Sequence, residues 1–477
     1  MIKRTKIVCT IGPACESVDI LEKMVHAGMN VARLNFSHGT HENHAMLIEH
    51  IREVGQKTGE PIAILQDLQG PKIRVGILPA EGIELEENTE VVFDTALKEY
   101  TNKKIPLDYD VLHTFVKAGE KLLLNDGKFE TKITRVQGTQ IFAQVIAGGI
   151  LTSHKGINVP DSTLKIRALT EKDKADALFG VQQGIDFMAL SFVRTPEDVI
   201  ELRKHLEICE KKVGKKSEAK IKIIAKIERR EALENIEEIF EVVDGIMVAR
   251  GDLGIEVRAE EVPLIQKKLI ALALKHSKPV IVATQMLDSM QDNIRPTRAE
   301  VSDVANAVID HTDAVMLSNE TATGKFPVQT VETMAKIVQE VEQSEYDNLR
   351  SSGSGLSPRE TESAIGEISE VLAERLHAKL IVASSMSGKI GQIISAQRPQ
   401  IPLLVVTPFE RVLHQLNLSW GVIPFFLPMH NRVEDIISAS LEVVKENAWA
   451  LPGDEVIVVS GVPGKSGEVN RVEVRVM

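Results

Sequence analysis

The chain has 477 residues, 43% hydrophobic and 26% charged, which is ample for several buried cores and, at about 150 residues per domain, for roughly three domains. Asp and Glu number 68 against 56 Lys and Arg, a formal net charge of −12, which argues against a general nucleic-acid binder but leaves room for a local basic pocket. The three cysteines, Cys9, Cys15 and Cys209, form neither an even set nor a CxxC, so a reducing, cytoplasmic setting is expected rather than a disulfide framework.

From the N-terminus, the stretch Ile7-Val8-Cys9 is too short for a signal peptide, and no run approaches the roughly 20 apolar residues of a membrane span. Short unalternated apolar runs then recur at Lys6–Thr10, Val31–Phe36, Ile62–Leu65, Phe187–Phe192, Ile221–Ile227, Gly245–Ala249, Val280–Ala283 and Ala314–Leu317. Runs of this length and character are buried parallel strands. Helical patterns separate them at Val18–Ala27, Thr40–Thr58, Pro196–Lys212, Ala232–Val242, Pro263–Lys275 and Glu300–His311. Ser17, Thr297 and the pair Thr195-Pro196 supply capping chemistry at three helix starts. Eight strand–helix units predict an α/β fold, a (β/α)8 TIM barrel.

One interval breaks the rhythm. Gly70–Ser162 carries alternating runs at Val91–Phe93, Lys121–Leu124 and Lys132–Val136, punctuated by Asn125-Asp126-Gly127, Gln137-Gly138 and Gly148-Gly149. This predicts an inserted antiparallel β domain, a barrel-like lid joined at Gln69-Gly70-Pro71 and Asn158-Val159-Pro160. After about Tyr346, the Ser/Gly stretch Arg350–Pro358 reads as a linker. Beyond it, helices at Thr361–His377, Gly388–Gln397, Arg411–Leu418 and Val433–Ala448 alternate with strands at Leu380–Ser384, Leu403–Val406, Val456–Val459 and Val472–Val476. The expected domains are therefore 1–69 and 163–346 for the barrel, 70–162 for the lid and 347–477 for a C-terminal α/β domain.

Chemistry gathers where the barrel strands end. Strand two runs into Arg33-Leu34-Asn35-Phe36-Ser37-His38, strand three into Gln66-Asp67, strand five into Lys226-Ile227-Glu228 and strand six into Arg250-Gly251-Asp252. Strands seven and eight end in Thr284-Gln285 and Ser318-Asn319-Glu320. The C-terminal face is where such barrels place their active sites. Glu228 and Asp252 are hard oxygen donors without nearby His or Cys, a pair suited to Mg2+ or Mn2+, although pairing with Arg229 or Arg250 is the competing reading. Lys226, two residues before Glu228, shares its strand face, and an ammonium beside a metal stabilises a developing anion such as an enolate or a phosphoryl group in flight. Arg33 and Arg74 offer planar forks for phosphate. There is no GxxxxGK[ST] loop and no G-x-S-x-G elbow. At this level a metal-dependent aldolase or lyase acting on pyruvate enolate stays open, as does a phosphometabolite sensor without catalysis.

The run Met29–Thr40 resembles the pyruvate kinase family, as do Lys226-Ile227-Glu228, Met247–Gly254, Ala283–Leu287 and Arg295–Glu300, and the similarity extends over essentially the whole chain. The resemblance implies a barrel, an inserted lid and a regulatory C-terminal domain, usually in a homotetramer. It implies transfer of the phosphoryl group of phosphoenolpyruvate to ADP. The short lead before strand one resembles the bacterial type.

Carried over position by position, the resemblance makes Glu228 and Asp252 the metal ligands and Lys226 the residue that bridges the moving phosphoryl and steadies the enolate. Arg33 contacts phosphate, while Arg74, His38, Lys172 and Asn35 stand on the nucleotide side. The backbone of Gly251 and Asp252 holds the substrate carboxylate, and Thr284 with Ser318 holds the water that protonates the product. Asn35, Ser37, Asp67 and the carbonyl of Leu68 match a K+ site. Lys72 stands where K+-dependent members carry Glu, so K+ is expected not to be required. Ser384, Ser385, Ser387, Gly388 and Lys389 match an effector site for a sugar phosphate or a nucleoside monophosphate. Asn319, and Leu68-Gln69-Gly70-Pro71-Lys72, depart from the common family pattern.

Overall fold

The structure is a computed structural model that describes residues 3–162, 167–214, 219–348, 361–461 and 469–477. The Arg350–Pro358 stretch lies outside the described residues, as does most of Gly461–Gly467, the segment between the last two predicted strands and a candidate cover for the Ser384–Lys389 turn.

The apolar runs are strands of a closed barrel, in the order Lys6–Thr10, Ala314–Leu317, Val280–Ala283, Gly245–Ala249, Lys222–Ile227, Phe187–Leu190, Ala63–Asp67, Val31–Asn35 and back to the first. Every pairing between neighbours is parallel. Unalternated runs are required because both strand faces are covered. Inward residues such as Val8, Leu65, Phe187, Ile224, Met247 and Ile281 fill the barrel interior, while Ile7, Ile64, Ile223 and Val282 pack under the surrounding helices.

Helix Arg298–Ile309 starts at Thr297, whose hydroxyl accepts from the Glu300 N–H while the Glu300 carboxylate returns to the Thr297 N–H. This reciprocal cap explains a start two residues before the predicted one. The predicted helix Ala232–Val242 is broken at Asn235 into Arg230–Glu234 and Ile236–Val242. Helices Glu171–Gln183 and Pro327–Glu342 complete the outer ring.

The insertion has its own core, centred on Phe93, Ile105, Leu107, Leu122, Ile133, Ile141 and Val145. Its main sheet runs Ile157–Asn158, Lys121–Leu124, Phe129–Gln137, Gln140–Ala147, Glu90–Asp94 and Lys104–Pro106, and a second pair joins Ile83–Leu85 to Gly149–Leu151. The ladders are antiparallel except between Glu90–Asp94 and Lys104–Pro106, which pair in parallel. At the first link, Gly70 has φ 66, and a Cβ there would stand 2.9 Å from both Phe192 and Ser191. Any other residue would be strained by conformation and by contact.

The C-terminal sheet has the order Val422–Phe426, Leu403–Thr407, Leu380–Ser384, Glu455–Gly461 and Val469–Val476, with only the last strand antiparallel. It packs on the barrel's N-terminal end. Leu418 joins the barrel's interior cluster. Lys6 Nζ donates to the Val422 carbonyl, the Trp420 N–H donates to Asp313 and Gln415 donates to the Asp186 carbonyl. The domain therefore closes the floor of the barrel and leaves the opposite mouth to the lid.

Candidate active site

At the mouth, a cavity of about 370 Å³ lies between the strand ends and the lid. The barrel contributes Arg33, Asn35, Ser37, His38, Asp67, Ser191, Phe192, Lys226, Glu228 and Asp252. The lid and its first link contribute Gln69, Lys72, Arg74, Asp126, Ser153, His154, Lys155 and Gly156. Ten residues singled out from the sequence thus share one cavity, although they span positions 33 to 252.

Strand geometry aims the charges. Arg33 lies mid-strand in strand two and Asp67 ends strand three, and the Arg33 guanidinium reaches Asp67 Oδ2 at 2.8 Å through Nε and 2.6 Å through Nη2. Arg33 Nη1 donates to Thr10 Oγ1 at 2.9 Å, which fixes the plane of the fork. The Lys226 ammonium stands 2.8 Å from Ser191 Oγ, 2.9 Å from Glu228 Oε1 and 3.4 Å from Asp67 Oδ1. Glu228 Oε2 accepts from the Phe192 N–H at 2.7 Å. Phe192 presents that amide from a left-handed turn, φ 56, immediately after strand four.

These contacts set the charge states. Burial alone would push the Lys226 pKa down, but the charges of Asp67 and Glu228 outweigh it and raise it above the usual lysine value. Burial would raise the Asp67 carboxyl, yet Lys226 and Arg33 hold it below its ordinary value. Glu228 goes the other way: burial, together with the charge of Asp252, raises its pKa against the opposing pull of Lys226. A carboxylate pair that resists carrying two charges is stabilised by a cation between its members.

The competing ion pairs for the two carboxylates are taken elsewhere. Arg250 pairs with Asp303 at 2.7 Å, and Arg229 pairs with Glu256 at 2.8 Å. Lys72 carries its ammonium to Asp126 Oδ1 of the lid at 3.0 Å, and Arg74 donates to the His154 carbonyl at 3.0 Å.

Other expected residues lie outside the cavity lining. The Gly251 N–H donates to Thr284 Oγ1 at 2.8 Å, and that hydroxyl donates to the Ala283 carbonyl at 2.6 Å. Thr284 has φ 72, a strained conformation for a β-branched residue, directly beside helix Arg250–Glu256. The Ser318 N–H donates to the buried Glu320 carboxylate, which also takes the Leu287 N–H. Leu68 is buried, and its carbonyl accepts from Ser191 Oγ at 2.7 Å. Lys172 is engaged by Asp176 and the Phe36 carbonyl, at 2.6 and 2.7 Å. In the C-terminal domain, Gly388 opens helix Lys389–Ala396 at φ 81, its N–H donates to Ser385 Oγ, and Lys389 pairs with Glu362 at 2.6 Å. Ser384 ends its strand, and Ser387 Oγ accepts from the Lys389 N–H at 3.5 Å.

Two contributors have no counterpart in the sequence argument. Ser191 accepts from Lys226 and the Phe192 amide donates to Glu228, yet both residues sit inside an apolar run assigned wholly to strand four. The one available signal was a lone serine at the end of that run.

A (β/α)8 barrel whose mouth presents Arg33, Lys226 and two hard carboxylates under a second domain defines an enzyme class suited to phosphoryl or enolate chemistry. The family model described as pyruvate kinase, barrel domain, matches residues 2–331, and that described as pyruvate kinase, alpha/beta domain, matches residues 363–475. A pyruvate kinase of Geobacillus stearothermophilus is 46% identical over 481 residues, covering all of this chain and 81% of that protein. Pyruvate kinase 2 of a Synechocystis strain is 43% identical over 481 residues, covering all of this chain and 79% of its own length. A Clostridium acetobutylicum pyruvate kinase is 40% identical over 481 residues, with both chains fully covered. The chain belongs to the pyruvate kinase family, bacterial type.

Proposed function

We propose that the chain transfers the phosphoryl group of phosphoenolpyruvate to ADP, giving pyruvate and ATP, in the cavity between barrel mouth and lid. The observation that carries this reading is the convergence of Arg33, Lys226, Glu228 and Asp252 in one cavity that lid residues also line. The P–O bond to the enol oxygen breaks as one forms to a terminal oxygen of ADP, and the enolate left behind takes a proton on carbon. Arg33 and Lys226 face the three phosphoryl oxygens, and Lys226 also meets the negative charge that grows on the enol oxygen. The Asp252 backbone N–H holds the substrate carboxylate, joined by the Gly251 N–H once it exchanges its bond with Thr284. Thr284, whose hydroxyl is fixed by Gly251 and Ala283, and Ser318 are assigned the water that protonates the enolate carbon. Lid residues at the cavity exclude bulk water, which would otherwise take the phosphoryl group.

Glu228 and Asp252 would hold the divalent cation. Glu228 Oε1 is buried, and the neighbour that meets its charge is the Lys226 ammonium at 2.9 Å, so a cation beside Asp252 would complete its surroundings. Among the described residues no group of three or more His, Cys, Asp or Glu could form a closed cage. Two carboxylates with room for substrate oxygens and water suit Mg2+. When bound, the ion supplies Lewis-acid stabilisation of oxygen charge. Binding of Mn2+ followed by electron paramagnetic resonance tests the assignment. Glu228→Gln and Asp252→Asn should each weaken Mn2+ by about tenfold or more, and unchanged affinity in both would overturn it.

The family generally works with Mg2+ and K+. For this chain K+ is dispensable, because Lys72 places a unit positive charge in the cavity that also contains Asn35, Ser37 and Asp67. On the nucleotide side, His38, Asn35 and Arg74 line the cavity, whereas Lys172 must exchange its half-exposed pair with Asp176 to take part. The assembly is read as a homotetramer, as the resemblance to the family implies. The Ser384–Lys389 turn takes a phosphate-bearing effector once Lys389 releases Glu362. A cytoplasmic setting accords with three free, buried cysteines, and no described helix is long and apolar enough to cross a membrane.

A further inference from the structure

The Lys226 ammonium has three partners, and two of them are carboxylates. Glu228 and Asp67, which line the cavity with it, compete for its charge. Its third partner is the neutral hydroxyl of Ser191, 1% exposed, at 2.8 Å. A hydroxyl has a single proton, and Ser191 places that proton on the Leu68 carbonyl at 2.7 Å. The lone pairs of its oxygen are thereby turned to Lys226. The serine is itself held. Gly70, the first link to the lid, approaches so closely that a Cβ on it would stand 2.9 Å from the Ser191 Cβ. The next residue, Phe192, is fixed in its left-handed turn by the bond from its N–H to Glu228.

We infer that Ser191 is a positioning residue for the phosphoryl-transfer step, holding the Lys226 ammonium beside Glu228, at 3.4 Å from Asp67, and at the point where charge develops. The inference rests on the reading that Lys226 meets the moving phosphoryl group. Without the hydroxyl, the ammonium closes the remaining gap to Asp67, an arrangement that costs little in the resting enzyme and is costly in the transition state. The substrate keeps Arg33, so its binding changes little.

The test is steady-state kinetics of Ser191→Ala with phosphoenolpyruvate, ADP and Mg2+. Loss of a charge-assisted hydrogen bond should lower kcat by roughly tenfold to a hundredfold. The KM for phosphoenolpyruvate should move by less than about twofold, since ground-state binding is spared. Combined with Lys226→Met, Ser191→Ala should lower kcat by less than a further factor of about two, because groups that act as a unit are not additive. Ser191→Cys keeps the shape with a weak donor and acceptor, so it should fall nearly as far, and it decides the matter if the alanine variant does not fold. A folded variant that keeps more than half of the wild-type kcat, or an equal loss with and without Lys226, overturns the inference. Lys226→Met alone reports on the underlying reading, so the two failures are told apart.

Discussion

Replacing Asp67 by Asn removes one charge from a site balanced between two cations, Arg33 and Lys226, and two carboxylates, Asp67 and Glu228. The Asp67 side chain is 1% exposed, so water screens little of the change. At an effective dielectric near 20, unit charges about 3 Å apart attract by roughly 5 kcal/mol before desolvation is counted. Desolvation of the carboxylate offsets part of this, and removing one member of a buried pair costs about 3–5 kcal/mol in measured cases. Asn keeps an acceptor for Arg33 but turns an amide donor toward Lys226, which adds to the cost. Urea denaturation followed by far-ultraviolet circular dichroism should therefore show Asp67→Asn less stable by about 3–5 kcal/mol. Saturating phosphoenolpyruvate should narrow the gap, because its negative groups replace the lost charge and it binds only the folded state. A loss below about 1 kcal/mol, the size of an exposed pair, would refute this charge balance.

Lys226→Met should lower kcat by about a hundredfold or more while substrate binding weakens less, and a near-normal kcat would remove Lys226 from the transition state. The wild type should be near full activity in tetramethylammonium buffer without K+, and Lys72→Glu should be nearly inactive there and partly rescued by K+. Activation of the wild type by about tenfold at constant ionic strength would contradict the substitution of K+ by an ammonium. Asp186 is buried, which opposes its charge, yet Arg52 and His414 hold its carboxyl below the ordinary value. Its stabilising contribution is therefore present above about pH 4 and lost as pH falls through the lowered folded value. Asp186→Asn should flatten the acid limb of the stability profile, and an unchanged limb would show that the group contributes nothing to it.

The barrel was legible because strands covered on both faces must be apolar throughout, and its eight runs coincide with its eight strands to within one or two residues at each end. Strand Val422–Phe426 was not, because Pro424 lies within it, and it survives only as an edge of the C-terminal sheet, where a missing N–H is tolerated. Helix Glu171–Gln183 was hidden by its polar first turns, in which Asp173 and Asp176 are buried through tertiary contacts. In the site, polar groups at strand ends marked Arg33, Asp67, Lys226, Glu228 and Asp252. Ser191 was masked by the apolar run that precedes it. The partner of Lys389 was beyond sequence reasoning, since Glu362 reaches it only through packing of helix Thr361–Leu376. Lys172 and Asp176, by contrast, stand four apart on one helix, a spacing that announces their pairing.

The central claim is that phosphoryl transfer from phosphoenolpyruvate to ADP takes place at the barrel mouth and depends on Glu228. Phosphorus NMR of the protein with phosphoenolpyruvate, ADP and Mg2+ tests it most directly. The wild type should convert the phosphoenolpyruvate resonance into the γ-phosphate resonance of ATP in equal amount, with none appearing as free phosphate, and Glu228→Gln should abolish the conversion. Release of inorganic phosphate in place of ATP, or undiminished ATP formation by Glu228→Gln, would contradict it.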